Sequence, residues 1–189
     1  MIDSFPHLLY SIIIRAPWGN FTYTKEKEMK KSILALVLAV FAAACLPRLP
    51  EVYILPSVEL PVVAEQEVVW NSADYKGKPI LLVFMGSWCP WCKKTMPAVM
   101  EAAQKYGDKA EIVAVFVDTD AAPVQAAMKA NNFTGKAIYN GSELAESLEV
   151  GGFPHSVLFD KKHRAIKHWE GFSPDRFADY EEGLKKVTK

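Results

Sequence analysis

Pro79-Ile80-Leu81-Leu82-Val83-Phe84-Met85-Gly86-Ser87-Trp88-Cys89-Pro90-Trp91-Cys92 is the decisive stretch of this chain of 189 residues. Residues 79–85 are an unbroken apolar run, as expected for a strand buried on both faces. Pro90 suits the first turn of a helix, where a missing N–H leaves no bond unmade. Met96, Val99, Met100 and Ala103 then fall at helical spacing, which predicts a helix over Pro90–Tyr106. Two cysteines therefore sit where a buried strand hands over to a helix.

Working outward, residues 111–117 read as a second buried strand and residues 121–130 as a helix, with a shorter helix over 144–148. Residues 156–159 and 165–169 suggest an antiparallel pair joined by the polar turn 160–163. A closing helix is predicted over 174–186, with Ser173 as its N-cap and Pro174 in its first position. A β-α-β unit followed by a hairpin and a final helix is an α/β plan around a central mixed sheet. There are no internal repeats.

The placement of Cys89 and Cys92 has chemical uses. Residues i and i+3 share one helix face, at a separation that a disulfide tolerates. A helix N-terminus offers unpaired N–H groups and partial positive charge, and both favour a thiolate. Cys-X-X-Cys sites lower a cysteine pKa from about 8.5 to between about 3.5 and 7.5. The thiolate is the attacking species in disulfide exchange. Cys89, at the tip, is then the nucleophile; Cys92, one turn in, is the resolving thiol. A zinc site needs about four ligands. Only these two cysteines lie near one another, and the histidines at 155, 163 and 168 are scattered. A purely structural bridge closing so short a loop would add little stability.

Upstream, Met29-Lys30-Lys31, the apolar run 33–44 and Cys45 make an export signal over residues 29–45. The run is short for a membrane-spanning helix, which takes about 20 residues. Ala42-Ala43-Ala44-Cys45 resembles a bacterial lipobox and nominates Cys45 for lipidation and membrane anchoring. Cleavage after Ala44 and an uncleaved anchor are the alternatives. Residues 1–28 precede the signal and are either a start-site artefact, with translation beginning at Met29, or a disordered extension. Residues 46–67 carry Pro47, Pro50, Pro56 and Pro61 and read as an extended tether. The folded domain is expected over 68–189.

Charge excludes little but points the same way. Lys+Arg and Asp+Glu both number 22, unlike the basic footprint of a nucleic-acid binder. Residues 1–44 hold five basic and three acidic groups, leaving 17 and 19, a net of −2, on residues 45–189. Protein or small-molecule partners suit such a body better than nucleic acid.

Residues from about 74 to 187 resemble the thioredoxin superfamily, and within it the exported TlpA/ResA-like branch. The resemblance rests on Lys76-Gly77-Lys78-Pro79, Trp88-Cys89-Pro90-Trp91-Cys92-Lys93-Lys94, Pro97, Val150-Gly151-Gly152-Phe153-Pro154 and Ser156-Val157-Leu158-Phe159-Asp160. It implies a three-layer α/β/α thioredoxin fold and dithiol chemistry with no cofactor beyond the Cys89–Cys92 pair. It implies that Pro154 is a cis-proline facing that pair, and that Phe153 offers its N–H and C=O to a substrate backbone. Trp88, Pro90 and Trp91 join them as substrate-contacting residues, Trp91 exposed. Pro97 should kink the helix. The usual carboxylates are absent: thioredoxin's buried Asp is replaced by Val83 and the ResA-like acid by Thr95, which leaves water as the proton acceptor for Cys92. His155 stands where Thr is usual.

The resemblance implies an envelope reductase acting on protein disulfides, apocytochrome c among them, with electrons from a membrane partner. A disulfide-donating oxidant resembling DsbA is the alternative, because the Pro90-Trp91 pair does not set direction. A thiol peroxidase and a non-enzymatic binding protein are further readings.

Overall fold

The computed structural model describes residues 53–65 and 67–189. The expected extension 1–28, the signal 29–45 with Cys45, and residues 46–52 of the expected tether lie outside the described residues. Among the described residues no helix is long and apolar enough to cross a membrane.

Strands β1 (Glu59–Pro61) and β2 (Val69–Asn71) form an antiparallel ribbon with Leu60 opposite Trp70. The main sheet contains β3 (Ile80–Met85), β4 (Glu111–Phe116), β5 (Ala137–Ile138), β6 (His155–Phe159) and β7 (Ala165–Glu170), in the order β5-β4-β3-β6-β7. β3 is central, parallel to β4 and antiparallel to β6, which makes the sheet mixed. That position explains the unbroken apolar run. All six residues of β3 are buried, alternate ones on opposite faces. Each such side chain contributes about 1.5–3 kcal/mol relative to exposure.

Helices α1 (Pro90–Tyr106), α2 (Ala121–Ala130), α3 (Ser142–Ser147) and α4 (Arg176–Val187) flank the sheet. Leu81, Val83 and Met85 pack with Met96 and Val99 of α1 and with Tyr180 and Leu184 of α4. Ile80, Leu82 and Phe84 pack on the other face with Leu144 of α3 and with Leu60 and Trp70 of the ribbon. This is the thioredoxin fold in three layers. The predicted bounds of α1 and α2 match the structure.

Three expectations change. The closing helix begins at Arg176 rather than Pro174, because Pro174 and Asp175 form a lead-in turn. Ser173 serves that turn, its Oγ accepting from the Asp175 N–H at 3.2 Å. The short helix starts at Ser142 and ends at Ser147, whose hydroxyl donates to the Leu144 carbonyl.

The third change concerns the tether. From Tyr53 the chain is extended, as Pro56 and Pro61 require, but it lies on the domain. Leu55, Leu60 and Val63 are buried. The Leu55 N–H donates to His163 O at 2.9 Å, and the Ala165 N–H to Tyr53 O at 2.7 Å. The Val63 N–H donates to Ala137 O at 2.9 Å. The folded part thus begins well before residue 68, because apolar side chains between the prolines find partners on the sheet.

Candidate active site

β3 ends at Met85, and Gly86-Ser87-Trp88 carries the chain to Cys89, the N-cap of α1. The Cys89 N–H donates to Gly86 O at 3.1 Å. Cys89 Sγ accepts from the Cys92 N–H at 3.2 Å, the side-chain bond that a Ser or Asp would make at a helix start. Pro90 takes the first helical position. The first turn of α1 holds no acidic residue, so no carboxylate there opposes a sulfur anion at its positive end. Cys89 and Cys92 are joined as a disulfide, with Cα atoms 5.2 Å apart. Both are buried, Cys89 at 4% exposure and Cys92 at 0%, so Cys89 is less exposed than a nucleophile at the tip of the helix suggests, and the surface it does keep makes it the more accessible of the two.

The loop before β6 faces this disulfide. The Phe153–Pro154 peptide bond is cis. Phe153 O lies 3.7 Å from Cys89 Sγ, an oxygen to which the reduced thiol can donate. The Pro154 carbonyl is held by the Gly171 N–H at 2.8 Å, and Gly171 adopts φ +66°. Arg176 pins that turn from below, its guanidinium donating to Gly171 O at 2.8 Å and Glu170 O at 3.3 Å.

Aromatic rings surround the sulfurs. The Trp88 ring meets Phe153 edge-on at 6.2 Å. Trp91 stacks on Phe172 at 5.5 Å, with Lys94 Nζ 4.3 Å above the Trp91 ring. Trp88 is 65% exposed and Trp91 52%. Trp91, Phe153, Gly171 and Phe172 line a cavity of about 320 Å³ beside Cys89. Trp88, Cys89, Pro90, Trp91, Cys92, Phe153 and Pro154 are therefore gathered at one end of the sheet, as the motifs predict. Cys45 lies outside the described residues.

Val83 and Thr95 hold the two positions where the resemblance implies carboxylates. Thr95 is buried, and its hydroxyl donates to the Trp91 carbonyl at 3.1 Å. His155 is buried at the start of β6, with Nε2 3.2 Å from Nδ1 of His168 on β7. Burial, and then the His168 charge, hold the His155 pKa below its usual value, with Glu170 opposing. Among the described residues no cluster of His, Cys, Asp and Glu could hold a metal ion.

Sequence reasoning missed Asp118, Phe172, Gly171 and Arg176. Asp118 follows β4 and accepts from Ser87 N–H at 2.9 Å and Ser87 Oγ–H at 2.5 Å, across 31 residues of sequence. No local spacing announces such a bond. Phe172 had a faint signal, an aromatic after a glycine at a strand end.

Known proteins agree with this geometry. ResA of Bacillus thuringiensis subsp. konkukian (strain 97-27), a thiol-disulfide oxidoreductase, is 36% identical over 117 residues, covering 61% of this chain. The match spans 66% of that relative, just under two thirds of its length. The thiol:disulfide interchange protein DsbE of Pseudomonas aeruginosa is 28% identical over 152 residues, covering 71% of this chain and 81% of its own. The crystal structure of the exposed lipoprotein thioredoxin Etrx1 from Streptococcus pneumoniae strain TIGR4 superposes with a TM-score of 0.61 at 24% identity. It covers 70% of this chain and 100% of its own, and at that identity it speaks for the fold. The Redoxin family matches residues 51–184. This chain belongs to the Redoxin family, a thioredoxin-superfamily protein of the ResA-like kind.

Proposed function

We propose that this thioredoxin-fold thiol–disulfide oxidoreductase is exported and reduces disulfides of envelope proteins, using Cys89 as nucleophile and Cys92 as resolving thiol. The observation that carries the reading is the asymmetry of the pair: Cys89 caps α1 beneath the Phe153 carbonyl, while Cys92 is sealed in the core. Similarity to ResA and DsbE supports the same chemistry.

The cycle balances as follows. The Cys89 thiolate attacks one sulfur of a substrate disulfide, and the other substrate sulfur leaves as a thiolate that takes a proton. Cys92 gives its proton to water and attacks Cys89 Sγ, which releases the second substrate sulfur. The substrate has gained two electrons, and the enzyme is left as the Cys89–Cys92 disulfide. A membrane dithiol donor restores the reduced pair. Apocytochrome c is one substrate that the ResA likeness suggests.

The signal over residues 29–45 supports export, and its end at Cys45 supports anchoring through a lipid. The tethered domain would then work at the membrane surface, with Trp88, Trp91, Phe153 and Pro154 meeting the substrate chain. An oxidant working in the opposite direction would use the same geometry, so direction is decided by potential. A value near −270 mV supports the reductase; one near −120 mV overturns it. Cys92→Ala should hold substrates on Cys89 as mixed disulfides, and mass spectrometry would name them. If no thiol-linked partner forms and wild type fails to reduce any protein disulfide, the reading falls.

A further inference from the structure

We propose that Asp118 is a positioning residue for Cys89, acting through the backbone and hydroxyl of Ser87; this rests on the reading of Cys89 as nucleophile. The loop Gly86-Ser87-Trp88 joins the sheet to the active-site helix, and it bonds to Cys89 from Gly86 O, which accepts the Cys89 N–H at 3.1 Å. Such a loop would drift, because fixing each backbone residue costs about 1–2 kcal/mol of entropy.

Asp118 stops that drift from outside the loop. Its carboxylate takes both Ser87 donors, N–H at 2.9 Å and Oγ–H at 2.5 Å. Charge-assisted bonds of this kind are stronger than neutral ones. The carboxylate is itself anchored. Asp118 lies two residues past the end of β4, the intervening Val117 N–H donates to Met85 O at 3.0 Å, and the Asn140 N–H donates to Asp118 O at 2.8 Å. The end of β4 therefore fixes the loop that orients Trp88 and aims Cys89.

A carboxylate near the site could instead act by charge, as a proton acceptor or by opposing the thiolate. Two substitutions separate charge from geometry. In Asp118→Asn the amide oxygen accepts the Ser87 N–H, and the amide N–H donates to Ser87 Oγ. Both bonds survive by reversal of one, while the charge is gone. In Asp118→Ala both bonds are lost. Ser87→Ala removes the hydroxyl bond alone.

The readout is the single-turnover rate at which reduced protein attacks a small aromatic disulfide, which needs no substrate groove. Melting temperature and circular dichroism are followed in parallel. Asp118→Ala should slow attack about tenfold, the effect of losing a bond to a charged group. Asp118→Asn should stay within about threefold of wild type, and Ser87→Ala should fall between them. If Asp118→Ala is unstable, Ser87→Ala against Asp118→Asn carries the test. Wild-type rates in Asp118→Ala and Ser87→Ala, or an Asp118→Asn as slow as Asp118→Ala, would overturn positioning. A wild-type protein that does not exchange at all sinks the functional reading instead.

Discussion

Ser156 Oγ and Tyr180 Oη lie 2.6 Å apart inside the core, so the strand that follows the cis-proline is bonded directly to α4. Burial pushes the Tyr180 hydroxyl up to about 12 against the pull of the Ser156 bond, so it stays neutral and uncharged under the sheet. Tyr180→Phe should cost about 1–3 kcal/mol, because the Ser156 hydroxyl is then buried without a partner. Adding Ser156→Ala to it should recover part of that loss, since the orphan is removed. Denaturant midpoints for the two single variants and the double give the coupling, and strict additivity would contradict the pairing.

The His155–His168 contact gives stability a pH dependence. Its bond needs one N–H and one lone pair, so it fails when both rings carry protons. Burial first, then the His168 charge, lower the folded pKa of His155 below the unfolded value near 6.5. The folded state therefore binds fewer protons than the unfolded state between those two values. The contribution is complete above about pH 6.5 and is lost as pH falls through the lowered folded value. Titratable neighbours are His168 and Glu170 on β7, with Tyr53 edge-on to His168 at 6.4 Å. Urea midpoints measured between pH 8 and 5 should fall for wild type and stay flatter for His155→Thr.

Phe172 is the partner on which Trp91 rests and a wall of the cavity beside Cys89. An aromatic pair is worth about 0.5–1.5 kcal/mol beyond its buried area. Phe172→Ala should therefore raise KM for a protein disulfide about 2–10-fold. The rate with a small disulfide should hardly move. Equal loss on both substrates would show that Phe172 serves the cysteines rather than the groove.

Gly86 makes room for an indole. A Cβ there would lie 2.7 Å from Trp88 Cε2 and 2.9 Å from its Nε1. The exposed Trp88 ring can swing away, so Gly86→Ala should leave the melting temperature almost unchanged. The edge-on contact with Phe153 would be lost, and tryptophan fluorescence should change together with a fall in kcat/KM. A variant with normal emission and activity would disprove the packing.

What the sequence disclosed follows physical range. The strand–helix junction was legible because Ile80–Met85 is buried on both faces and Pro90 marks the helix start within a few residues. The pair of sulfurs was legible for the same reason. Asp118 was invisible, because its partner Ser87 is reached only after β4 is laid beside β3. His155 was singled out, but its partner was not. Register sets His155 opposite Glu170 and Val157 opposite His168, so the two histidines meet on the diagonal across a hairpin with a bulge. Among the described residues the proline-spaced stretch is extended from Tyr53, but it lies on the domain instead of standing off it as a tether. Leu55, Leu60 and Val63 were the overlooked signal, since a solvated tether has no use for them.

That stretch has a consequence for how the molecule keeps to itself. The last strands of an open sheet, β5 and β7, would offer bare donors and acceptors to any neighbouring chain. Residues 61–63 bond along β5, and residues 53–55 bond to residues 163–165 where β7 begins, so one segment of the chain covers the β5 flank and the entry to β7. A version trimmed to begin at Val68 would keep both sulfurs yet lose the guard, and should clump through strand-to-strand pairing during purification.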